Sequence, residues 1–254
     1  MDREGALMKI KYYQEYSPVL GRDMEFKVYG TSGKPVIGLP CGNGRFYDWE
    51  NFGMIDNIGH WIRDGKIQVI TPDPIDTETV TAHAEAPAGR VALYEKWFKY
   101  ITTELVPRIH EICGTEEKIA VAGIAMGAYH AANLFFRRPD LFNGLIALSG
   151  TYDTQPLYGS YMDDTLYMNA PLQSLANLPA DHKYIPLFNK SRIAICVGQG
   201  DWEDNPLAST RRLQKILQDK GIKAWVDYWG YDSSHHWYWW KQQMNYFLDF
   251  ILRE

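Results

Sequence analysis

What the chain lacks narrows it first. Its three cysteines, Cys41, Cys113 and Cys196, are too few and too scattered over 254 residues for a disulfide framework or a C-x-x-C metal site. That usage suits a reducing compartment. No apolar run approaches the roughly 20 residues of a membrane-spanning helix, and the opening Met1-Asp2-Arg3-Glu4-Gly5 lacks the basic-then-apolar order of a secretion signal. A soluble, cytoplasmic protein is expected. An excess of basic charge is also missing: 26 Lys and Arg against 31 Asp and Glu leave a net charge of −5. Neither nucleic acid nor an anionic membrane is therefore an expected partner. There is no H-E-x-x-H, no Walker lysine and no G-x-G-x-x-G opening a helix, so metal-dependent hydrolysis and nucleotide binding are disfavoured. No metal or cofactor is expected.

What is present is the pattern of one globular α/β domain over 1–254. The composition, 46% hydrophobic and 22% charged, is ordinary, and no composition break, repeat or low-complexity segment divides the chain. Residues 8–30 alternate apolar and polar as edge strands meeting in a hairpin, and buried strands follow at 35–40, 67–70, 118–121, 144–150, 192–198 and 223–229. Helices are expected over 48–63, 91–113 with an interruption at Pro107, 129–138, 207–220 and 236–252, and a loop over 71–89. The alternation predicts a mainly parallel sheet with helices on both faces. Residues 151–190, aromatic and punctuated by proline, form an excursion suited to a lid or pocket wall.

The most informative absence is a single oxygen atom. Val121-Ala122-Gly123-Ile124-Ala125-Met126-Gly127-Ala128-Tyr129-His130 runs from an apolar strand through a small-residue corner into a helix. The Gly123-x-x-x-Gly127 frame is that of a nucleophile elbow, whose central position carries a serine. Here it carries Ala125. Downstream, the loop Gln199-Gly200-Asp201-Trp202-Glu203-Asp204 and the loop Tyr231-Asp232-Ser233-Ser234-His235-His236 each follow a strand, in the order nucleophile, acid, histidine.

The elbow with its flanks through Ala132, the segment Asn43-Gly44-Arg45-Phe46-Tyr47-Asp48, the acid loop and His235-His236-Trp237 together resemble the esterase D-like branch of the α/β-hydrolases. That branch includes S-formylglutathione hydrolases, feruloyl and acetylxylan esterases and mycolyltransferases, and the resemblance spans most of the chain. It implies an α/β-hydrolase fold and a serine carboxylesterase with Ala125 at the nucleophile's place and His235 at the base's. Glu203 is preferred as the acid, with Asp204 and Asp201 allowed by spacing. The resemblance also implies an oxyanion hole from the Met126 amide and one near Cys41 or Gly42, here assigned to Gly42. The expected partner is a small-molecule or oligomeric ester; oligomeric state, homo-oligomers included, is left open.

With alanine at the elbow the chain should bind but scarcely turn over. Because acid, base and oxyanion loop are all retained, an introduced Ser→Ala change accounts for it better than a natural pseudoenzyme does; an acyltransferase is the third reading. Other residues have plainer roles. His130 is expected to be buried and hydrogen-bonded, and His60, His83, His110 and His182 to lie on the surface or in loops. Asp73 and Asp76 read as a solvated turn, and Asp153 and Cys41 as unfavoured alternatives for acid and nucleophile. The pair His235-His236 is disfavoured as a metal site, having no acid placed to complete it. Tyr152, Tyr158, Tyr161 and Tyr167 suit pocket lining and loop packing equally. The run from His236 to Trp240 is expected to pack on the sheet.

Overall fold

In the computed structural model, which describes residues 8–253, eight strands form one sheet in the order β1-β2-β4-β3-β5-β6-β7-β8. Strands β1 (Ile10–Ser17) and β2 (Arg22–Tyr29) make an antiparallel hairpin at one edge, and β2 runs antiparallel to β4 (Ile67–Pro72). The remainder, β3 (Lys34–Leu39), β4, β5 (Ile119–Ile124), β6 (Phe142–Leu148), β7 (Arg192–Val197) and β8 (Trp225–Tyr228), pair in parallel. All six residues of β4 and of β5 are buried, as expected for strands covered on both faces.

The helices are α1 (Asp48–Asn51), α2 (Met54–Asn57), α3 (Gly59–Arg63), α4 (Pro87–Tyr100), α5 (Val106–Cys113), α6 (Met126–Arg137), α7 (Gln155–Tyr158), α8 (Asp164–Met168), α9 (Pro171–Ala176), α10 (Ile185–Asn189), α11 (Asp204–Asp219) and α12 (Trp237–Leu252). They sort into two layers with separate cores. Tyr94, Trp97, Ile109, Leu134, Phe135 and Leu213 of α4, α5, α6 and α11 pack with Ile37 and Val121 on one face. Trp49, Ile55 and Ile62 of the first three helices, with Trp240, Met244 and Phe247 of α12, pack with Val36 and Ala120 on the other. Successive strand residues thus serve opposite cores, the period-two rule of a pleated strand. The aromatic run packs as expected, with Trp240 buried and Trp237 stacked 4.7 Å from Phe52, although Tyr238 stays exposed.

Three local departures have physical causes. The helix expected over 48–63 is three short helices, because Gly53 takes a left-handed φ of 73° that ends one turn and begins the next. The long helix around Pro107 passes through a π-helical turn at Ile101–Leu105, which accommodates a proline that has no N–H to give to the preceding turn. The region 71–89, expected as loop, contains a 3-10 turn at Asp76–Glu78 and the first turn of α4.

Strand β3 lies between β4 and β5, so the chain winds one way from β3 and then crosses back to begin β5. A crevice opens outside the carboxyl ends of strands at such a reversal. The loop after Leu39 and the corner after Ile124 meet there.

Candidate active site

The corner is held by two glycines that no other residue could replace. A Cβ on Gly123 would stand 1.9 Å from the Gly127 carbonyl oxygen, and one on Gly127 would stand 2.3 Å from the carbonyl oxygens of Leu39 and Pro40. Strand β5, helix α6 and the end of β3 therefore approach backbone to backbone. Between the glycines, Ala125 is driven to φ 51° and ψ −114°, a conformation that costs a non-glycine residue roughly 1–3 kcal/mol. Its N–H is anchored to the Leu148 carbonyl at 2.9 Å. Ala125 lines a cavity of about 260 Å³ with Gly42, Met126, Ser149, Thr151, Asp153, Leu157 and His235.

The His235 ring reaches that cavity from the loop after β8, and its Nδ1 lies 3.4 Å from Oε2 of Glu203. Glu203, at the start of α11, is 1% exposed, whereas Asp201 and Asp204 are exposed. The other carboxylate oxygen accepts a 2.6 Å hydrogen bond from the Ser149 hydroxyl, and that hydroxyl accepts one from Trp240 Nε1 at 2.9 Å. Both carboxylate oxygens are thus engaged, so the group is fixed in rotation. The two loops are also stitched through backbone: Gly200 N–H donates to the Ser233 carbonyl and His235 N–H to the Asp201 carbonyl, each at 2.9 Å. Asp201 meets the histidine through its backbone alone.

Residues 40–44 close the opposite side. A Cβ on Gly42 would sit 3.5 Å from Met126 Cβ, so this loop lies against the first residue of α6, where amides have no intrahelical carbonyl to bind. Asn43, at φ 61°, donates its N–H to Oδ2 of Asp76 at 3.1 Å. Oδ1 of Asp76 meets His130 Nε2 at 2.8 Å, and His130 Nδ1 meets the Tyr94 hydroxyl at 2.9 Å. His130 is buried and hydrogen-bonded, as expected. Asp76 departs from expectation: at 2% exposure it is a buried partner of that histidine, not part of a solvated turn. Asp73 is half-buried, paired with Arg45 at 2.8 Å.

The alternative residues fall away from this centre. Asp153 lines the cavity but pairs with Arg212 and with the Gln155 amide. Cys41 is a free thiol whose pKa is raised by burial, the opposite of what an attacking thiolate needs. Tyr152 and Tyr158 are buried packing residues, and none of the four excursion tyrosines lines the Ala125 cavity. His60 and His83 are exposed, and His110 and His182 half-buried. Among the described residues no group of three His, Cys, Asp or Glu side chains is placed to hold a metal, and no helix is long and apolar enough to cross a membrane. Sequence reasoning missed Ser149 and Asp76; their only signals were a polar residue ending the apolar strand 144–150 and a second acid after β4.

A mostly parallel sheet between two helical layers, with a strained elbow at the reversal of strand order and an Asp/Glu–His pair beyond the later strands, is an α/β-hydrolase. The chain belongs to the esterase family described as "Putative esterase", whose model matches residues 17–251. No curated protein matches its sequence. Among solved structures it shares its fold with a ferulic acid esterase (TM-score 0.75, 16% identity, covering 97% of this chain and 98% of that one). It shares that fold also with S-formylglutathione hydrolase FrmB of Staphylococcus aureus (TM-score 0.73, 16% identity, 100% of both chains) and with MPT51 (FbpC1) of Mycobacterium tuberculosis (TM-score 0.73, 15% identity, 96% and 98%).

Proposed function

We propose that this scaffold is that of a metal-free serine carboxylic-ester hydrolase, present here in a form disarmed at its nucleophile, Ala125. The observation that carries the reading is the convergence of the strained Ala125 and of His235, paired with buried Glu203, on one cavity. With serine at that position, its hydroxyl attacks the ester carbonyl while His235 takes the proton. Glu203 holds the imidazole through Nδ1, leaving Nε2 as the base. The Met126 and Gly42 amides receive the oxyanion, His235 returns the proton to the leaving alcohol, and water then releases the acid.

Without the serine, turnover falls by roughly 10⁶-fold while ground-state binding is retained. The intact acid, base and loop favour an introduced Ser→Ala change. The cavity of about 260 Å³ suits a short or single-ring acyl group, with Thr151, Asp153 and Leu157 of the 151–190 excursion as its wall and lid. A small or oligomeric ester is the proposed substrate and the cytoplasm the proposed compartment.

Ala125 itself favours the second reading, a protein that binds esters or their products without cleaving them. Chromogenic esters from acetyl to feruloyl, assayed with Ala125→Ser, separate the two. Hydrolysis by the folded variant supports the enzyme, and none on any ester supports the binder. Product analysis with an added alcohol then distinguishes hydrolase from acyltransferase, since only the latter diverts most acyl groups to the alcohol.

A further inference from the structure

We infer that Asp76 is a positioning residue for the oxyanion hole, fixing the distance between the two segments that supply its amides. The inference rests on the esterase reading above. Those segments are separate pieces of chain: Gly42 belongs to the loop after β3, and Met126 opens α6. Nothing covalent sets their spacing, and Gly42 and Asn43 are exposed. Within the loop, the Gly44 N–H donates to the Cys41 carbonyl at 2.9 Å, which shapes the turn but does not fix it to α6.

Asp76 bonds both segments at once. Oδ2 takes the N–H of Asn43, the residue after Gly42, at 3.1 Å, and Oδ1 takes His130 of α6 at 2.8 Å. Thr81 ties Asp76 and Asn43 together: its N–H donates to the Asp76 carbonyl at 3.0 Å, and its hydroxyl lies 2.5 Å from Asn43 Oδ1 and 2.9 Å from that carbonyl. The network is consistent atom by atom. His130 Nε2–H donates to Asp76, the Tyr94 hydroxyl donates to His130 Nδ1, and Asn133 Nδ2 donates to the Tyr94 oxygen at 3.3 Å. Asp76 accepts at both oxygens, from the His130 ring and from the Asn43 amide.

The chain bears a cost to deliver this carboxylate. Ile75, a β-branched residue, sits at φ 52° immediately before it, a conformation worth roughly 1–3 kcal/mol of strain. Asp76 and His130 are both within 2% of full burial, so the bond between them is made where water does not compete. Displacing a catalytic donor by about 1 Å costs on the order of 10²-fold in rate.

The test uses Ala125→Ser as parent, with Asp76→Ala and Asp76→Asn added. Asp76→Ala is expected to lower kcat about 10²-fold with KM within about threefold, because the hole acts on the transition state. Asparagine keeps an oxygen for the Asn43 amide and offers Nδ2 to the Nδ1–H tautomer of His130, at the cost of the bond that the Tyr94 hydroxyl gives that ring, so Asp76→Asn is expected to recover part of the loss, to within about tenfold of the parent. A kcat within threefold of the parent for Asp76→Ala, a KM that rises in step with lost kcat, or an asparagine variant no better than alanine would each overturn the inference. Should Asp76→Ala fail to fold, amide exchange in the unaltered chain decides. The Asn43 N–H is expected to exchange at least tenfold more slowly than an open loop amide, and exchange at the open rate overturns the inference. An inactive Ala125→Ser parent with a protected Asn43 amide would instead refute the esterase reading, and with it the catalytic role of this brace.

Discussion

Replacing Ala125 by glycine should stabilise the protein, although the same change elsewhere in the elbow helix should do the reverse. At φ 51° and ψ −114° the alanine Cβ is the source of the strain, worth about 2 kcal/mol at the middle of the usual range. Glycine removes it at an entropic cost of about 0.7 kcal/mol in the unfolded chain. Losing a half-buried methyl that faces a cavity costs about 0.3 kcal/mol more. The net expectation is a gain of about 1 kcal/mol, or a Tm rise of about 2–4 °C for a chain of this size. Ala131→Gly, in the buried interior of α6, should lose about 2 kcal/mol from helix propensity and methyl burial together. Urea unfolding of the two variants beside the parent, with m-values compared, provides the measurement. If Ala125→Gly destabilises as much as Ala131→Gly, the corner is not strained and the reasoning fails.

Three further outcomes follow from the site and the core. In the Ala125→Ser background, Glu203→Gln should depress kcat by about 10²–10⁴-fold, whereas Asp201→Asn and Asp204→Asn should stay within about threefold; steady-state kinetics on one ester would reassign the acid if Asp204→Asn were the crippling change. Ser149→Ala strips a hydrogen bond from the buried Glu203 carboxylate and another from the Trp240 indole, and should cost about 2–4 kcal/mol in urea unfolding; a loss under 1 kcal/mol would show that the bonds are replaceable. Burial pushes the Tyr158 hydroxyl up to about 12 and raises Tyr29, Tyr94, Tyr129 and Tyr152 further. Each folded-state value lies above the unfolded one, so their contribution is whole below pH 10 and declines as pH rises from about 10 to 12 and beyond, by up to about 1.4 kcal/mol per pH unit per tyrosine. Ultraviolet titration should show these tyrosines ionising only as the chain unfolds, and reversible ionisation with the fold intact would contradict it.

The sheet was readable because its strands carry their own signal: runs such as Ile119 to Ile124 are apolar at every position and bounded by turn residues. The elbow was readable because its two glycines are four residues apart and Gly123 answers to a local backbone contact, against Gly127 itself. Glu203 was preferred from the sequence, but spacing did not exclude its acidic neighbours; burial separates them, since Asp201, Glu203 and Asp204 share one loop and only Glu203 is buried. Asp76 was not readable at all. Its partner His130 is 54 residues away on another element, and Pro74 and Ile75 beside it suggest an ordinary turn. Ser149 was hidden for the same reason: its partners Glu203 and Trp240 reach it from two later segments of chain. Local chemistry marks where a loop lies; only tertiary packing decides which polar group in it is kept from water.

The proposed function seats a nucleophile at position 125, served by His235 and Glu203. Its most direct test is intact-mass and peptide mapping after treatment with a fluorophosphonate, for this chain, for Ala125→Ser and for Ala125→Ser with His235→Ala. No adduct is expected on the first, one stoichiometric adduct at position 125 on the second, and labelling slowed by at least about 10³-fold on the third. A folded Ala125→Ser variant that takes no label, or that labels equally fast without His235, would contradict it.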